Sequence, residues 1–351
     1  MKRGTVTILS VDGGGVRGLI PAMLIRDILR RVRFLKRWTR RPDDVAVHRL
    51  FDIFAGTSTG ALLTLGLVKP NPLSPEEIVR FYVEDSASIF PVGRFASVSA
   101  MRQAFAHKYD AGPFEALLER LFGDARLSEC LANVLVTAYD TDNRGPFFFR
   151  HAARNRGVAI ASEEQGDDFL LRDIARSTTA APTYFVPAQI TSRDGATYSL
   201  VDGGLVANNP ALNAYVEART VYPDARQYLI VSIGTGRGKR HFPFETIRKW
   251  GYLDWVSPMH GVPITSMMWD GQSESVAHAL KSLPRVAYFR FNTDLGEVSA
   301  EMDDARPENI HRIEQLGRAI IRRESRALHR LARTLCRRRP ARKVDPATRH
   351  R

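Results

Sequence analysis

Cysteine is scarce in this 351-residue chain: there are two, Cys130 and Cys336. Two thiols so far apart make neither a disulfide framework nor a metal-ligand spacing, which excludes a small stapled scaffold and a zinc module. No HExxH pattern or Cys/His cluster points to a catalytic metal, and no cofactor is expected. Apolar runs of about 18 residues are also missing, so no transmembrane helix is expected. The start, MKRGTVTILSVDGGG, is basic, but its apolar stretch is too short for a secretory signal core. A reducing cytoplasm is the expected compartment. Acidic residues are thin in one place. Residues 318–351 hold thirteen Arg or Lys against two acids, Glu324 and Asp345, a net +11 of the chain's +13. The body is therefore nearly neutral. A second basic cluster, RRVRFLKRWTRR, spans residues 30–41.

The rest has globular proportions. Hydrophobic residues make up 44% and charged ones 25%, enough apolar material for a buried core in one large α/β domain or two small ones. VTILSV reads as a strand, followed by a glycine turn and a helix over about 19–37. RLFDIFAG reads as a short apolar strand, and ALLTLGLV after it as a buried helix. Strand–turn–helix repeated in this way argues for a mostly parallel sheet with helices on its faces. Ser74, Pro75, Glu76 and Glu77 form a strong helix start, and the stretch from there to residue 122 reads as mostly helical. NVLVTAYD and QYLIVSIGTG are further strands, and FLLRDIARSTTAA is a helix stopped by Pro182. Apolar residues recur at helical spacing over 310–335. The boundary of the folded domain is expected at residue 325, with 326–351 a basic extension whose end is disordered.

Three glycine-centred motifs carry the chemistry. The first is SVDGGGVRG, residues 10–18, where Gly13, Gly15 and Gly18 fit GxGxxG. A dinucleotide site would need an acid about 20 residues further on, where the basic cluster lies instead. A P-loop would need a following GK[ST], which is absent. The second motif is GTSTG, residues 56–60, between a strand and an apolar helix. That is the setting of a nucleophile elbow, with Ser58 at a sharp turn and Gly56 and Gly60 relieving crowding. The alternative is an ordinary turn between strand and helix. If Ser58 is a nucleophile, the N–H groups of Gly13, Gly14 and Gly15 supply an oxyanion hole. Arg17 either adds positive charge there or is an exposed loop residue. The third motif, SLVDGGLVANNPA, puts Asp202 at the end of an apolar strand before Gly203 and Gly204. Asp202 is either a base facing Ser58 or a turn former, and burial would raise its basicity. A Ser–Asp–His order stays open on paper with His241, His260 or His278.

Two further signals are weaker. YDTDNRG, residues 139–145, begins like a calcium loop but puts Arg144 and His151 where oxygen ligands belong, so a strand-end turn fits better. WGYLDWVSPM, residues 250–259, is aromatic-rich and suits either a lipid-facing lip or core packing.

DGGGVRG, GTSTG and DGG, in this order, resemble the patatin-like phospholipase family, in a bacterial form. ARSTTAAPTYF, DGGLVANNPA, VSIGTGR, MWDGQSESV and MDDARPENI look like it too, and the likeness covers about residues 6–323. The resemblance implies a three-layer α/β/α sandwich and a Ser–Asp dyad without histidine that cleaves acyl esters of lipids. Ser58 matches the nucleophile, Asp202 its acid/base partner, and Gly13 to Gly15 the oxyanion loop. Arg17, Gly18, Gly56, Gly60, Gly203 and Gly204 complete the motifs. The basic C-terminal extension departs from the family pattern. The expected partner is a phospholipid or other acyl lipid. The basic end suits contact with an anionic inner-membrane surface, with nucleic acid the disfavoured alternative and a solvated face a third. Some bacterial relatives are antiphage effectors switched on by a cyclic nucleotide, so a nucleotide activator is one alternative. An acyltransferase is another, and a nucleic-acid-binding module with a fortuitous GxSxG a third.

Overall fold

The computed structural model describes residues 4–37, 45–90, 108–151, 168–238, 241–257 and 262–337. Eight strands make one sheet: β1 (Thr5–Val11), β2 (Ile53–Gly56), β3 (Asn133–Asp140), β4 (Gly145–His151), β5 (Ala188–Thr191), β6 (Thr197–Asp202), β7 (Gln227–Ile233) and β8 (Val286–Phe291). The order is β5-β6-β3-β2-β1-β7-β8, with β4 also paired to β3. The run from β3 to β8 is parallel, whereas β4, β5 and β6 join antiparallel.

Helices cover both faces, which is why β1, β2 and β7 read as nearly continuous apolar runs. On one face, Leu9 and Val11 pack with α1 (Leu19–Lys36), α2 (Thr59–Val68), α3 (Pro75–Glu84), α4 (Gly112–Phe122) and α5 (Leu171–Thr178). On the other, Val6, Ile8, Ile53 and Ala55 meet α6 (Ala211–Val221) and Leu280 of α7 (Pro263–Ser282). This is the three-layer α/β/α sandwich. The start of α3 is a capping box: Ser74 Oγ accepts from the Glu77 N–H at 3.2 Å, and the Glu77 carboxylate accepts from the Ser74 N–H at 2.7 Å.

Three elements differ from their sequence patterns. Only Ile53–Gly56 of RLFDIFAG is extended; Asp52, just before it, instead accepts the Thr7 N–H and hydroxyl on its side chain. α5 ends at Thr178, four residues before Pro182, because Ser177 and Thr179 hydroxyls bond back to carbonyls of their own helix while Thr178 turns to Thr137. The apolar stripe over 310–335 is two helices, α8 (Pro307–Arg323) and α9 (Ser325–Arg337), broken at Glu324. The break lets both stripes, Ile313 and Ile320 in one and Leu328, Leu331 and Leu335 in the other, reach the core beside α1. α9 lies beyond the boundary expected at residue 325, yet its Leu328, Leu331 and Leu335 are buried in the same core; residues 338–351 lie outside the described residues.

Candidate active site

β3 is the rail on which the site is assembled. Along one edge it pairs with β4 from Val134 to Asp140. The other edge is shared: β2 pairs parallel at residues 133–136, and β6 pairs antiparallel at residues 138–140. The C-terminal ends of β2 and β6 therefore meet head to head over Thr137. Hydrogen bonds lock the junction. Thr57 Oγ1 is 2.8 Å from Thr137 Oγ1 and donates to the Ala207 carbonyl at 2.6 Å. Thr178 Oγ1 donates to the Thr137 carbonyl at 2.7 Å. Thr178, which sequence reasoning missed, also accepts the Ser58 N–H at 2.9 Å.

Ser58 sits at φ 53°, ψ −126°, a backbone conformation that L residues rarely adopt. The surroundings enforce it. A Cβ on Gly60 would lie 2.3 Å from the Val11 carbonyl, one on Gly56 2.5 Å from the Ala61 Cα, and one on Gly18 2.4 Å from the Tyr82 hydroxyl. The turn thus needs all three glycines where strand, loop and helix crowd. α2 begins immediately after Ser58, with the Ala61 N–H donating to the Ser58 carbonyl at 2.8 Å.

Asp202 is buried at the end of β6. Its carboxylate accepts the Gly204 N–H at 2.6 Å and shares the cavity with Ser58. Burial pushes its pKa up to about 6 against the pull of the Gly204 N–H and of the nearby Ser58 hydroxyl. Gly203 is required here, since a Cβ would lie 2.1 Å from Thr137 Oγ1.

The glycine loop lies alongside. The position of a Cβ on Gly13 is 3.3 Å from the Ser58 Cβ. The Gly13 N–H, however, donates to the Asn208 carbonyl at 3.2 Å, so it is occupied rather than open to a ligand. Gly14 and Gly15 line the adjoining cavity, and Gly15 has φ 59°. Arg17 is not an exposed loop residue. It is buried, and its guanidinium donates to the Gly14 carbonyl at 3.2 Å and the Ala300 carbonyl at 3.3 Å, bracing the loop. Burial lowers its pKa to about 10, which leaves it charged at neutral pH. Behind the loop, Asp12 makes a buried bidentate ion pair with Arg290 at 2.9 and 2.6 Å, and Arg290 also bonds Ser232 and Ser273. Arg290 was invisible to motif reading because it lies far along the chain in β8.

The cavity runs from Ser58, Asp202 and Gly14 into apolar and aromatic walls that include Leu62, Phe81, Phe114 and Phe185. It encloses about 730 Å³ counting its open mouth. No histidine is among its described lining residues. His241 and His278 are exposed, and His260 lies outside the described residues. Asp140 serves the β3–β4 turn, accepting the Asp142 and Asn143 N–H groups at 2.9 and 3.0 Å, as the turn reading of that stretch expects.

The family model described as Patatin-like phospholipase matches residues 9–215, a span that holds all three glycine motifs. The chain is 32% identical to patatin-like protein 2 of Arabidopsis thaliana, with 90% of this chain and 83% of that protein covered. It is 31% identical to patatin-like protein 2 of Oryza sativa subsp. japonica, covering 90% and 84%. It is 30% identical to patatin group J-1 of Solanum tuberosum, again covering 90% and 84%.

Proposed function

The chain belongs to the patatin-like phospholipase family, whose members are lipid acyl hydrolases, and from that premise we propose that it cleaves phospholipid acyl esters with Ser58 as nucleophile and Asp202 as its base. The observation that carries this reading is the meeting of β2 and β6 on one edge of β3, which brings Ser58 and the buried Asp202 carboxylate, its pKa raised to about 6, into one cavity. A carboxylate so raised is ionised at neutral pH yet basic enough to take a proton in a transition state.

The steps follow from these groups. Ser58 Oγ attacks the ester carbonyl carbon while its proton passes to Asp202. The carbonyl oxygen becomes an oxyanion facing the N–H groups of Gly14 and Gly15, in a loop that Arg17 braces. Collapse breaks the bond to the glycerol oxygen, which leaves as a lysophospholipid carrying the proton from Asp202. Water then attacks the acyl-serine and gives its proton to Asp202. Breakdown frees the fatty acid and returns the proton to Ser58. The apolar walls beside Ser58 suit an acyl chain.

The test is product analysis. Purified protein incubated with phosphatidylcholine should release free fatty acid and lysophospholipid, and Ser58→Ala should release neither. Acyl transfer to an added alcohol in preference to water would replace hydrolysis by transferase chemistry. Release only after adding a cyclic nucleotide would make the protein a gated effector. No acyl release from any ester, with or without nucleotide, would overturn the reading.

A further inference from the structure

Residues 242–257 and the first turns of α7 present exposed apolar side chains among the described residues. Phe244, Tyr252 and Leu253 are 71%, 81% and 75% exposed, and Ile264, Met267 and Met268 continue the surface onto the first turns of α7. The segment is nonetheless ordered from beneath: Trp250 packs edge-on against Trp255 at 5.2 Å and against Phe242 at 5.5 Å. α7 is tied to the turn after Asp202. Gln272 donates to the Leu205 carbonyl at 3.4 Å and accepts the Asn208 N–H at 3.3 Å. Trp269, next to exposed Met268, lines the cavity that holds Ser58. The exposed surface on α7 thus adjoins a residue of the cavity wall.

We propose that this face docks the protein onto a lipid bilayer by apolar insertion, with the cavity mouth against the membrane. The inference rests on the reading of the cavity as a site for lipid acyl chains. Three features select a bilayer as the occupant. The surface borders an apolar cavity, so a chain drawn from a membrane would reach Ser58 without crossing water. Its exposed tyrosine and the tryptophans beneath it are the amphipathic side chains that suit a membrane interface. Its charges are balanced, with Arg248 paired to Glu245 at 2.6 Å, so attachment depends on buried apolar area rather than on anionic lipid.

Binding can be measured without turnover. The full chain carrying Ser58→Ala is mixed with phosphatidylcholine vesicles at low and at high salt, and cosedimentation and tryptophan emission are followed. Three of the four tryptophans, Trp250, Trp255 and Trp269, lie in or beside the proposed face. We expect binding at both salt levels with a blue-shifted emission. Adding Tyr252→Ser, Leu253→Ser and Ile264→Ser should weaken binding on the order of tenfold or more. The same triple variant with Ser58 intact should turn over a soluble short-chain ester at the parent rate. Leu253→Asp alone repeats the test at a single exposed position, should the triple variant fold poorly. Equal vesicle binding by parent and variants would overturn the proposal. So would a parent that binds no vesicles and instead self-associates through this face. Loss of ester turnover in the Ser58-intact parent would count against the catalytic reading alone, because the vesicle measurement does not depend on it.

Discussion

Asp12 and Asp202 occupy matching places in this fold. Each stands at the C-terminal end of a strand, each is followed by glycine, and they are 3% and 6% exposed. Their surroundings are opposite. Asp12 meets a guanidinium on both oxygens, and Arg290 holds two serines besides. Asp202 accepts one backbone N–H and faces the Ser58 hydroxyl across the cavity, and no cation pairs with it among the described residues. Depth alone therefore does not decide what a buried carboxylate does. A matched cation turns one into a structural tie behind the glycine loop, and the lack of a cation suits the other to the role of base proposed for it.

The sharpest way to test that contrast starts with the serine. Ser58→Ala should lower ester turnover by at least about a thousandfold with the fold intact, since the covalent step is lost. A fluorophosphonate probe should label the parent and not the variant. Turnover within tenfold of the parent would remove Ser58 from the mechanism.

Asp202→Asn should cost nearly as much activity, because an amide cannot accept the proton. It should also stabilise the protein. The folded pKa of Asp202, about 6, is above its ordinary 3.8, so the stability linked to its neutral form is full below about pH 4 and is lost as pH rises through 6. The neutral isostere avoids that loss. Thermal unfolding should show a gain on the order of 2 kcal/mol at pH 7 that disappears near pH 3. Parent kcat/KM should fall on the acid side with a midpoint near 6. His241→Ala, His260→Ala and His278→Ala should each keep most activity; one that is folded yet inactive would break the two-residue assignment.

At the other carboxylate the signs reverse. Arg290→Leu strands Asp12 in the interior and should destabilise the protein by about 3–5 kcal/mol. Adding Asp12→Asn should recover most of this, as denaturant midpoints would show. If the double variant is no better than the single one, the pair is not the tie described above.

The smallest effect on turnover and stability is expected far from both carboxylates. A chain ending at Arg337 keeps α9 but loses Arg338, Arg339, Arg342, Lys343, Arg349 and Arg351 against Asp345. Soluble-ester turnover and melting temperature should not change. Binding to anionic vesicles should weaken, at about 1 kcal/mol for each basic group near the surface, and the difference should vanish in high salt. Tight, salt-sensitive binding of the full chain to DNA would assign the tail to nucleic acid instead.

Much of this was legible before any coordinates. β1 and its glycine turn, the elbow at Ser58, the cap at Ser74 and the strand end at Asp202 are local events, each written in a few neighbouring residues. What was not legible depends on distant partners. The Gly13 N–H looks open in sequence, and only the fold brings the Asn208 carbonyl to it. Arg17 reads as a loop residue until the Ala300 carbonyl closes over it. Thr178 looks like one more helical threonine, yet it holds both the Ser58 N–H and the Thr137 carbonyl. The break at Glu324 escapes periodicity because both helices keep an apolar stripe of the same spacing.

The shared edge of β3 also has a consequence in time. Ser58 arrives with β2 and Asp202 with β6, from chain segments separated by β3, β4, α4 and α5. The two side chains become neighbours only when both strands have zipped onto the same rail. A chain still emerging from the ribosome, with β1, β2 and β3 already folded, holds the serine and the glycine loop but no base. Long-range pairing of this kind forms late, since the intervening loop must close first. On the proposed mechanism, hydrolytic competence is then among the last properties the molecule acquires.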